Sequence, residues 1–318
     1  MSRMHSLSAM FVSSTMLAGC VVGGKIQPTV TPATAVDLSQ LWADPVDLAE
    51  RDLFHGPGGQ QLMPDVSRPF TFIQADQSGY SPGYDVRGTD GVEWSVKLGP
   101  EAQSEVAVSR IFWALGYHQP PTYYVPKWTM TGQQEGPQAG ARFRPKLMNR
   151  AVVGEWDWYE NEFLHTQPFK GLVVVNVMLN NWDWKTSNNK IYDVDGNRVY
   201  VVQDLGASLG KTDYPVLLRW LPMRGLGQGS RNNIEDFEEQ GFIERVDGER
   251  IQFVYRGIHH SLLDEVTPKD VVWAAERMAN LSDAQWDDIF RAAGYAEDQR
   301  QRFIARIKSK IAEGLALR

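Results

Sequence analysis

The sequence predicts an α+β fold of two lobes, a β-rich lobe followed by a mainly helical one. The chain has 318 residues, of which 42% are hydrophobic, and this is enough apolar mass for a sizeable core. Short strand-like patterns dominate residues 66–150, and longer helical patterns dominate residues 151–318. We therefore assign the first range to an N-terminal lobe and the second to a C-terminal lobe.

The N-terminal lobe contains a series of strand patterns and one strong helix pattern. A helix is predicted from Pro100 to Leu115, because proline favours the first turn of a helix and Gly116 follows the last apolar position. The small-residue stretch 77–83 is predicted to be a loop between the first two strands. The predicted strands cover residues 70–73, 84–87, 92–98, 123–128 and 141–147.

The C-terminal lobe is predicted to hold helices and two hairpins. An apolar helix covers residues 169–180, and the hairpins cover 190–203 and 242–255 with Asp-Gly at their turns. Two later helices begin with capping boxes, at Thr267 and at Ser282. A final helix is indicated by four apolar residues spaced four apart: Phe303, Ile307, Ile311 and Leu315.

The N-terminus resembles the signal sequence of a bacterial lipoprotein. A mildly apolar stretch without acidic residues ends in Leu17-Ala18-Gly19-Cys20, which resembles a lipobox, and Cys20 is the only cysteine of the chain. We expect residues 1–19 to be a signal peptide and Cys20 to carry acyl chains that anchor the protein to a membrane. Residues 20–65 then form a tether and connector. The expected location is the bacterial cell envelope, with the outer membrane favoured and the folded part outside the cytoplasm.

Composition excludes several classes of function. The net charge of −7 argues against a nucleic-acid-binding face, which needs a basic patch. A single cysteine excludes an internal disulfide framework and a cysteine-rich zinc site. The longest apolar run, residues 172–179, is too short to span a bilayer.

Four polar features with potential chemistry follow one another along the chain. Lys97 ends a predicted strand, and Glu105 lies in the helix after it. Asp183 and Asn188 are five residues apart, between the apolar helix and a hairpin, and Asp204-Leu205-Gly206 follows that hairpin. In this order the residues resemble the protein-kinase-like superfamily, with its strand lysine, helix glutamate, Asp-x-x-x-x-Asn and Asp-x-Gly. The resemblance is nearest to the atypical secretory-pathway and Hip-type kinases.

The resemblance implies a two-lobed kinase-like fold that uses ATP, or another nucleoside triphosphate, with Mg²⁺ or Mn²⁺. Asp183 would orient and deprotonate an acceptor hydroxyl, and Lys185 would stabilise the transferred phosphoryl group. Asn188 and Asp204 are hard oxygen ligands suited to the metal. The predicted nucleotide-binding residues are Lys97 and Glu105 together with Gly79, Ser81 and Gly83 of the small-residue loop.

Several alternatives stay open from the sequence. Glu101 competes with Glu105 as the partner of Lys97, and Asn181-Trp182 replaces the usual His-Arg pair before the catalytic aspartate. Trp182 and Trp184 are expected to pack the loop that holds Asp183. The function is phosphoryl transfer to a protein or small-molecule hydroxyl, nucleotide binding by a pseudokinase without transfer, or nucleotidyl transfer. Because a lipobox places the chain where ATP is scarce, the phosphate donor is open as well.

Overall fold

The structure is a computed structural model that describes residues 36–76, 81–133, 135–212 and 229–318. Residues Val36–Arg318 form one compact unit. Within it a seven-stranded sheet precedes a mainly helical region, and two separate hydrophobic clusters form the cores of these two parts. The predicted α+β fold with a β-rich N-terminal lobe and a helical C-terminal lobe is therefore confirmed.

The N-terminal lobe is a curled, largely antiparallel sheet with one helix against it. The sheet order is β4-β7-β3-β2-β1-β5-β6. Along β3 and β7 alternate side chains point to opposite faces, so that Trp94, Val96 and Phe143 enter the lobe's core while Lys97 and Arg142 face the other way. The elements are β1 (Phe70–Asp76), β2 (Gly83–Arg87), β3 (Glu93–Leu98), α1 (Glu101–Ala114), β4 (Tyr123–Val125), β5 (Trp128–Thr131), β6 (Gly136–Gln138) and β7 (Ala141–Pro145).

The single strand predicted over residues 123–128 is wrong. The chain forms two short strands there, and they lie far apart in the sheet: β4 pairs with β7, whereas β5 pairs with β1 and β6. Pro126 lies between them, and a proline cannot donate a ladder hydrogen bond. The break lets the chain cross from one edge region of the sheet to the other.

The C-terminal lobe contains the predicted helices and hairpins, with shifts of one to three residues at their ends. Both predicted capping boxes are present, at Thr267 and at Ser282. An unpredicted strand, β8, adds to the first hairpin and makes a three-stranded sheet. The elements are β8 (Arg150–Gly154), α2 (Gln167–Met178), β9 (Asn189–Val194), β10 (Asn197–Val202), α3 (Ile234–Glu239), β11 (Ile243–Asp247), β12 (Arg250–Phe253), α4 (His260–Leu263), α5 (Pro268–Ala279), α6 (Asp283–Ala292) and α7 (Glu297–Leu315).

The residues before the first strand pack against α1 and the helical lobe. They form short 3₁₀ turns, two of them at Leu38–Gln40 and Leu48–Glu50. Leu41 and Leu53 are buried in the larger core, and the Trp42 indole N–H donates a 2.7 Å hydrogen bond to the Leu115 carbonyl. From residue 36 onward this part of the predicted connector is therefore part of the folded unit.

Helix α1 links the two lobes. It extends from the end of β3, yet its buried residues Val106, Ile111 and Phe112 belong to the larger core, together with α2 and the C-terminal helices. A residue at the start of α1 is consequently held by both lobes. Among the described residues, no helix combines the length and hydropathy that a membrane span requires.

The end of α2 is fixed by a buried lysine. Asn180 follows the helix with a φ of 54°, and its amide N–H donates to the Gly210 carbonyl at 2.7 Å. Lys310 of α7 is fully buried and donates to the Met178 carbonyl at 3.0 Å and to the Asn180 side-chain oxygen at 2.9 Å. These bonds satisfy a carbonyl that the helix end leaves without a partner, and they position the loop that begins at Asn181.

Two substitutions at Asn180 test this helix end. Asn180→Ala removes buried hydrogen bonds and keeps a side chain at positive φ, and we expect it to lower the free energy of unfolding by about 2–4 kcal/mol. Asn180→Gly removes the same bonds without the conformational penalty, so its loss should be about 1 kcal/mol smaller. Urea unfolding measures the free energy of unfolding of both variants. An alanine variant as stable as the glycine variant would contradict the conformational penalty at this positive φ.

Candidate active site

The predicted site residues that the structure describes meet in one cleft between the two lobes. The cleft has a volume of about 570 Å³. Gly79 and Cys20 lie outside the described residues, so the structure says nothing about either. The predicted residues that line the cleft are Ser81, Gly83, Lys97, Glu105, Asp183, Lys185, Asn188 and Asp204.

Lys97 lies at the centre of the cleft and contacts three carboxylates. Its Nζ is 3.0 Å from Glu105 Oε2 and 3.5 Å from Glu101 Oε2, and it also forms an ion pair with Asp204. Burial acts to lower the pKa of Lys97, but the charges of Glu105 and Asp204 outweigh it and the net pKa is raised. Lys97 is therefore a permanent cation in the cleft at neutral pH.

Glu105 is the carboxylate that holds this part of the cleft together. Its side chain is only 2% exposed. Besides Lys97, it pairs through Oε1 with Arg144 at 2.5 Å and with Arg142 at 3.2 Å. Burial acts to raise the pKa of Glu105, but these three cations outweigh it and hold the pKa well below its usual range. The helix thus presents an ionised carboxylate to two strands of the sheet.

Glu101, the other glutamate that the sequence offered as a partner of Lys97, also contacts this lysine. It is buried one turn before Glu105 and accepts a 2.8 Å hydrogen bond from the Ser81 hydroxyl. It also pairs with Arg231, whose guanidinium stacks 4.7 Å from the Trp182 ring. Glu105 is the nearer carboxylate to Lys97, and Glu101 connects the cleft to the segment that carries Arg231.

Two glycines allow close approaches at the cleft. A Cβ on Gly83 would lie 2.8 Å from the Val96 carbonyl oxygen, so only glycine fits opposite β3 at this position. A Cβ on Gly206 would lie 2.6 Å from the Glu101 Cβ, and the Ser104 hydroxyl donates to the Gly206 carbonyl at 2.7 Å. Asp204-Leu205-Gly206 therefore packs directly on the first turn of α1.

The loop from Asn181 to Asn188 places Asp183 in the cleft. The Asn188 amide N–H donates to the Asp183 carbonyl at 2.6 Å, and Lys185 Nζ lies 2.9 Å from Asp183 Oδ2. Trp184 is fully buried, packs edge-on against Trp158 at 4.7 Å and donates to the Tyr255 hydroxyl at 2.5 Å. The loop is thus anchored by an aromatic side chain next to its candidate catalytic carboxylate.

The donors present fit a divalent cation shared with phosphate oxygens. Asp204 has a φ of 57° and its side chain is 38% exposed in the cleft. Backbone strain of this kind occurs at functional sites and costs about 1–3 kcal/mol. In the described ranges no group of three or more His, Cys, Asp or Glu side chains is placed to hold a metal alone. Magnesium commonly takes one or two protein oxygens and completes its shell with phosphates and water, which suits Asp204 with Asn188.

Three arginines of the cleft were not predicted from the sequence. Arg142 and Arg144 line it from β7, and Arg231 lines it from the segment that precedes α3. Arginine alternating with apolar residues, as in Ala141-Arg142-Phe143-Arg144, is the usual pattern of a strand with one solvent-exposed face. Here that face is covered by α1 and the C-terminal lobe, which the local pattern does not indicate.

No family model matches the chain, and no curated protein matches it. Among solved structures, it is similar to the crystal structure of a Helicobacter pylori proinflammatory kinase, CtkA, with 13% sequence identity and a TM-score of 0.47. That match covers 79% of this chain and 98% of the other.

The charge of Glu105 should govern the stability of the cleft. Glu105→Gln leaves three cations around a neutral amide, and we expect the free energy of unfolding at pH 7 to fall by about 3–5 kcal/mol. The folded-state pKa of Glu105 is depressed, so its contribution is present above its ordinary pKa of 4.5 and is lost as the pH falls below that value. The difference between wild type and variant should therefore shrink below pH 4.5.

Urea unfolding of both proteins between pH 3 and pH 7 measures this difference. The matched control is Glu93→Gln, which removes a carboxylate paired with Arg87 on the surface, and its cost should be below about 1 kcal/mol. A wild-type advantage over Glu105→Gln that stays constant down to pH 3 would contradict the depressed pKa.

Proposed function

We propose that this chain is a phosphotransferase that moves the terminal phosphoryl group of a metal-bound nucleoside triphosphate to an acceptor hydroxyl. The observation that carries the proposal is the meeting of Lys97, Glu105, Asp183, Asn188 and Asp204 in one cleft, although up to 107 residues separate them in sequence. Phosphoryl transfer requires charges positioned around a polyphosphate and little covalent chemistry from the protein. The cleft offers cations, oxygen ligands and a carboxylate base in that arrangement.

Lys97 and Glu105 are assigned to the donor. Lys97 would bind the phosphates next to the scissile bond, since it is a fixed cation at the end of a strand. The Lys97 and Asp204 side chains are in direct contact. A bound triphosphate would therefore lie at the point where these two side chains meet. Glu105 keeps Lys97 in place from the buried side.

Asp183, Asn188 and Asp204 are assigned to the transfer. Asp204 and Asn188 would hold a Mg²⁺ or Mn²⁺ ion, which would neutralise the charge of the phosphates. Asp183 would accept the proton of the acceptor hydroxyl as its oxygen bonds to phosphorus, and the bond from phosphorus to the leaving diphosphate breaks. Lys185, 2.9 Å from Asp183, would stabilise the charge on the transferred group.

Substitution of the proposed base tests the transfer. Asp183→Asn keeps the shape of the side chain and removes its basicity, so we expect transfer to fall at least 100-fold. Nucleotide affinity should stay within threefold of wild type. The assay incubates the full chain with Mg²⁺ and ATP labelled at the γ-phosphate and follows phosphate on protein and in solution.

The control for this assay is Asp298→Asn, which alters an exposed carboxylate at the start of α7 and should leave transfer unchanged. Product mass separates the alternatives. Addition of AMP would identify nucleotidyl transfer, and nucleotide binding without any product would identify a pseudokinase. Unchanged transfer by Asp183→Asn would refute the assignment of the base.

The cellular place of this activity is a separate proposal that rests on the sequence. The lipobox-like Leu17-Ala18-Gly19-Cys20 after an apolar leader supports acylation of Cys20 and anchoring in the bacterial envelope. Such an anchor would hold the phosphotransferase at a membrane surface, with the outer membrane favoured. A protein or small molecule of the envelope would then be its acceptor.

Cys20→Ser tests the anchor. The variant cannot form the thioether to the lipid, so we expect it to leave the membrane fraction and to lose the mass of the acyl chains. Fractionation of cells that express the full chain, followed by mass spectrometry, measures both. Met16→Ser serves as a control that leaves the cysteine intact, and membrane association that persists in Cys20→Ser would contradict the lipobox.

A further inference from the structure

The roof of the cleft is a polar face of the sheet. Neighbouring residues in register across β3 and β7 are Lys97 with Arg142 and, one row nearer the connection between the lobes, Ser95 with Arg144. All four line the cleft. Arg142 also donates to the Ser95 carbonyl at 2.9 Å. Under this roof, a ligand meets hydrogen-bonding and charged groups.

At its inner end the cleft is spanned by a hydrogen bond between side chains of the two lobes. The Arg144 guanidinium donates a 3.0 Å hydrogen bond to the side-chain oxygen of Gln203, which follows β10 in the other lobe. Gln203 in turn donates to the Tyr192 hydroxyl, and the Arg150 guanidinium lies 4.9 Å from the Tyr192 ring. A planar base stacked on both faces needs a slot about 7 Å wide, twice a normal contact distance. The Arg144–Gln203 bond bridges the gap at this point.

Arg144 cannot leave this bridge without disturbing Glu105, and Gln203 on the other side is bonded to Tyr192. The same guanidinium that bonds Gln203 also pairs with Glu105 at 2.5 Å. Moving Arg144 aside to admit a base would remove one of the three cations that keep the buried carboxylate ionised. The inner end of the cleft is therefore a poor place for a purine or pyrimidine ring.

The charges of the cleft suit a chain of phosphates. The whole protein carries a net charge of −7, yet the lining of this cleft holds six cationic side chains against five carboxylates, and two of those carboxylates, Asp183 and Asp204, are assigned to the base and the metal. Guanidinium groups bind phosphate oxygens in pairs of parallel hydrogen bonds, and lysines bind them as point charges. The six are Lys97, Arg142, Arg144, Lys185, Lys190 and Arg231.

We propose that the cleft selects its donor by the triphosphate chain and not by the base, so that inorganic triphosphate binds as well as any nucleoside triphosphate. The proposal rests on the phosphotransferase function given above, and it defines the substrate class of that site. The phosphates lie under Lys97 and the β7 arginines. The base, where there is one, points away from the Arg144–Gln203 bridge toward the open side of the cleft.

Calorimetric titration of the full chain in Mg²⁺ with ATP, GTP, UTP and inorganic triphosphate tests this selectivity. The expected result is four dissociation constants within threefold of one another, and no binding of adenosine at millimolar concentration. An affinity for one nucleotide at least tenfold above that for inorganic triphosphate would overturn base-independent selection and leave the phosphotransferase function intact. Binding of none of the four would overturn both.

A pair of variants checks that the shared affinity comes from the cleft. Lys190→Met removes one lining cation and should weaken all four ligands by the same factor, about three- to tenfold. Arg198→Met removes an exposed cation from the neighbouring strand, outside the cleft lining, and should change none of them. Weaker binding of inorganic triphosphate with unchanged ATP affinity in Lys190→Met would show that ATP is held through its base, and this would overturn the proposal.

Discussion

The ionised carboxylate of Glu105, buried among Lys97, Arg142 and Arg144, is the interaction on which the cleft depends. Its desolvation is unfavourable, and only three cations close around it keep it charged. Those cations come from β3 and β7, whereas Glu105 lies on α1, whose apolar residues pack in the core of the other lobe. One carboxylate therefore fixes the sheet of the first lobe relative to the helix that joins it to the second.

The remaining chemistry is arranged around this fixed point. Lys97 is held on one side by Glu105 and reaches Asp204 on the other, and Gly206 lets that loop pack on the first turn of α1. In the C-terminal lobe, the loop of Asp183 is positioned by Lys310, which bonds to the end of α2, and by buried Trp184. The groups proposed for transfer thus rest on rigid elements, which is what charge placement around a phosphoryl group demands.

The sequence predicted the fold class and the polar residues whose local spacing carries information. Three local patterns carried this information: Lys97 at a strand end, the five-residue offset from Asp183 to Asn188, and Asp204 after a hairpin. The structure brings all four residues to one cleft.

Arg144 and Lys310 were not predictable in this way. An arginine on an alternating strand and a lysine beside an apolar helical stripe both indicate solvent exposure. Arg144 is partly buried and Lys310 fully buried only because a distant element, α1 or the end of α2, packs on each of them. The choice between Glu101 and Glu105 depended likewise on tertiary contacts, and both contact Lys97.

Asp204 and Lys97 are proposed to share a metal-bound triphosphate, and the dependence of ATP affinity on the metal measures this directly. Calorimetric titrations of wild type and Asp204→Asn are compared in Mg²⁺ and in EDTA. We expect Mg²⁺ to raise the ATP affinity of wild type at least tenfold, and we expect this gain to disappear in Asp204→Asn while the affinity in EDTA stays within threefold. An equal gain from Mg²⁺ in both proteins, or none in wild type, would contradict it.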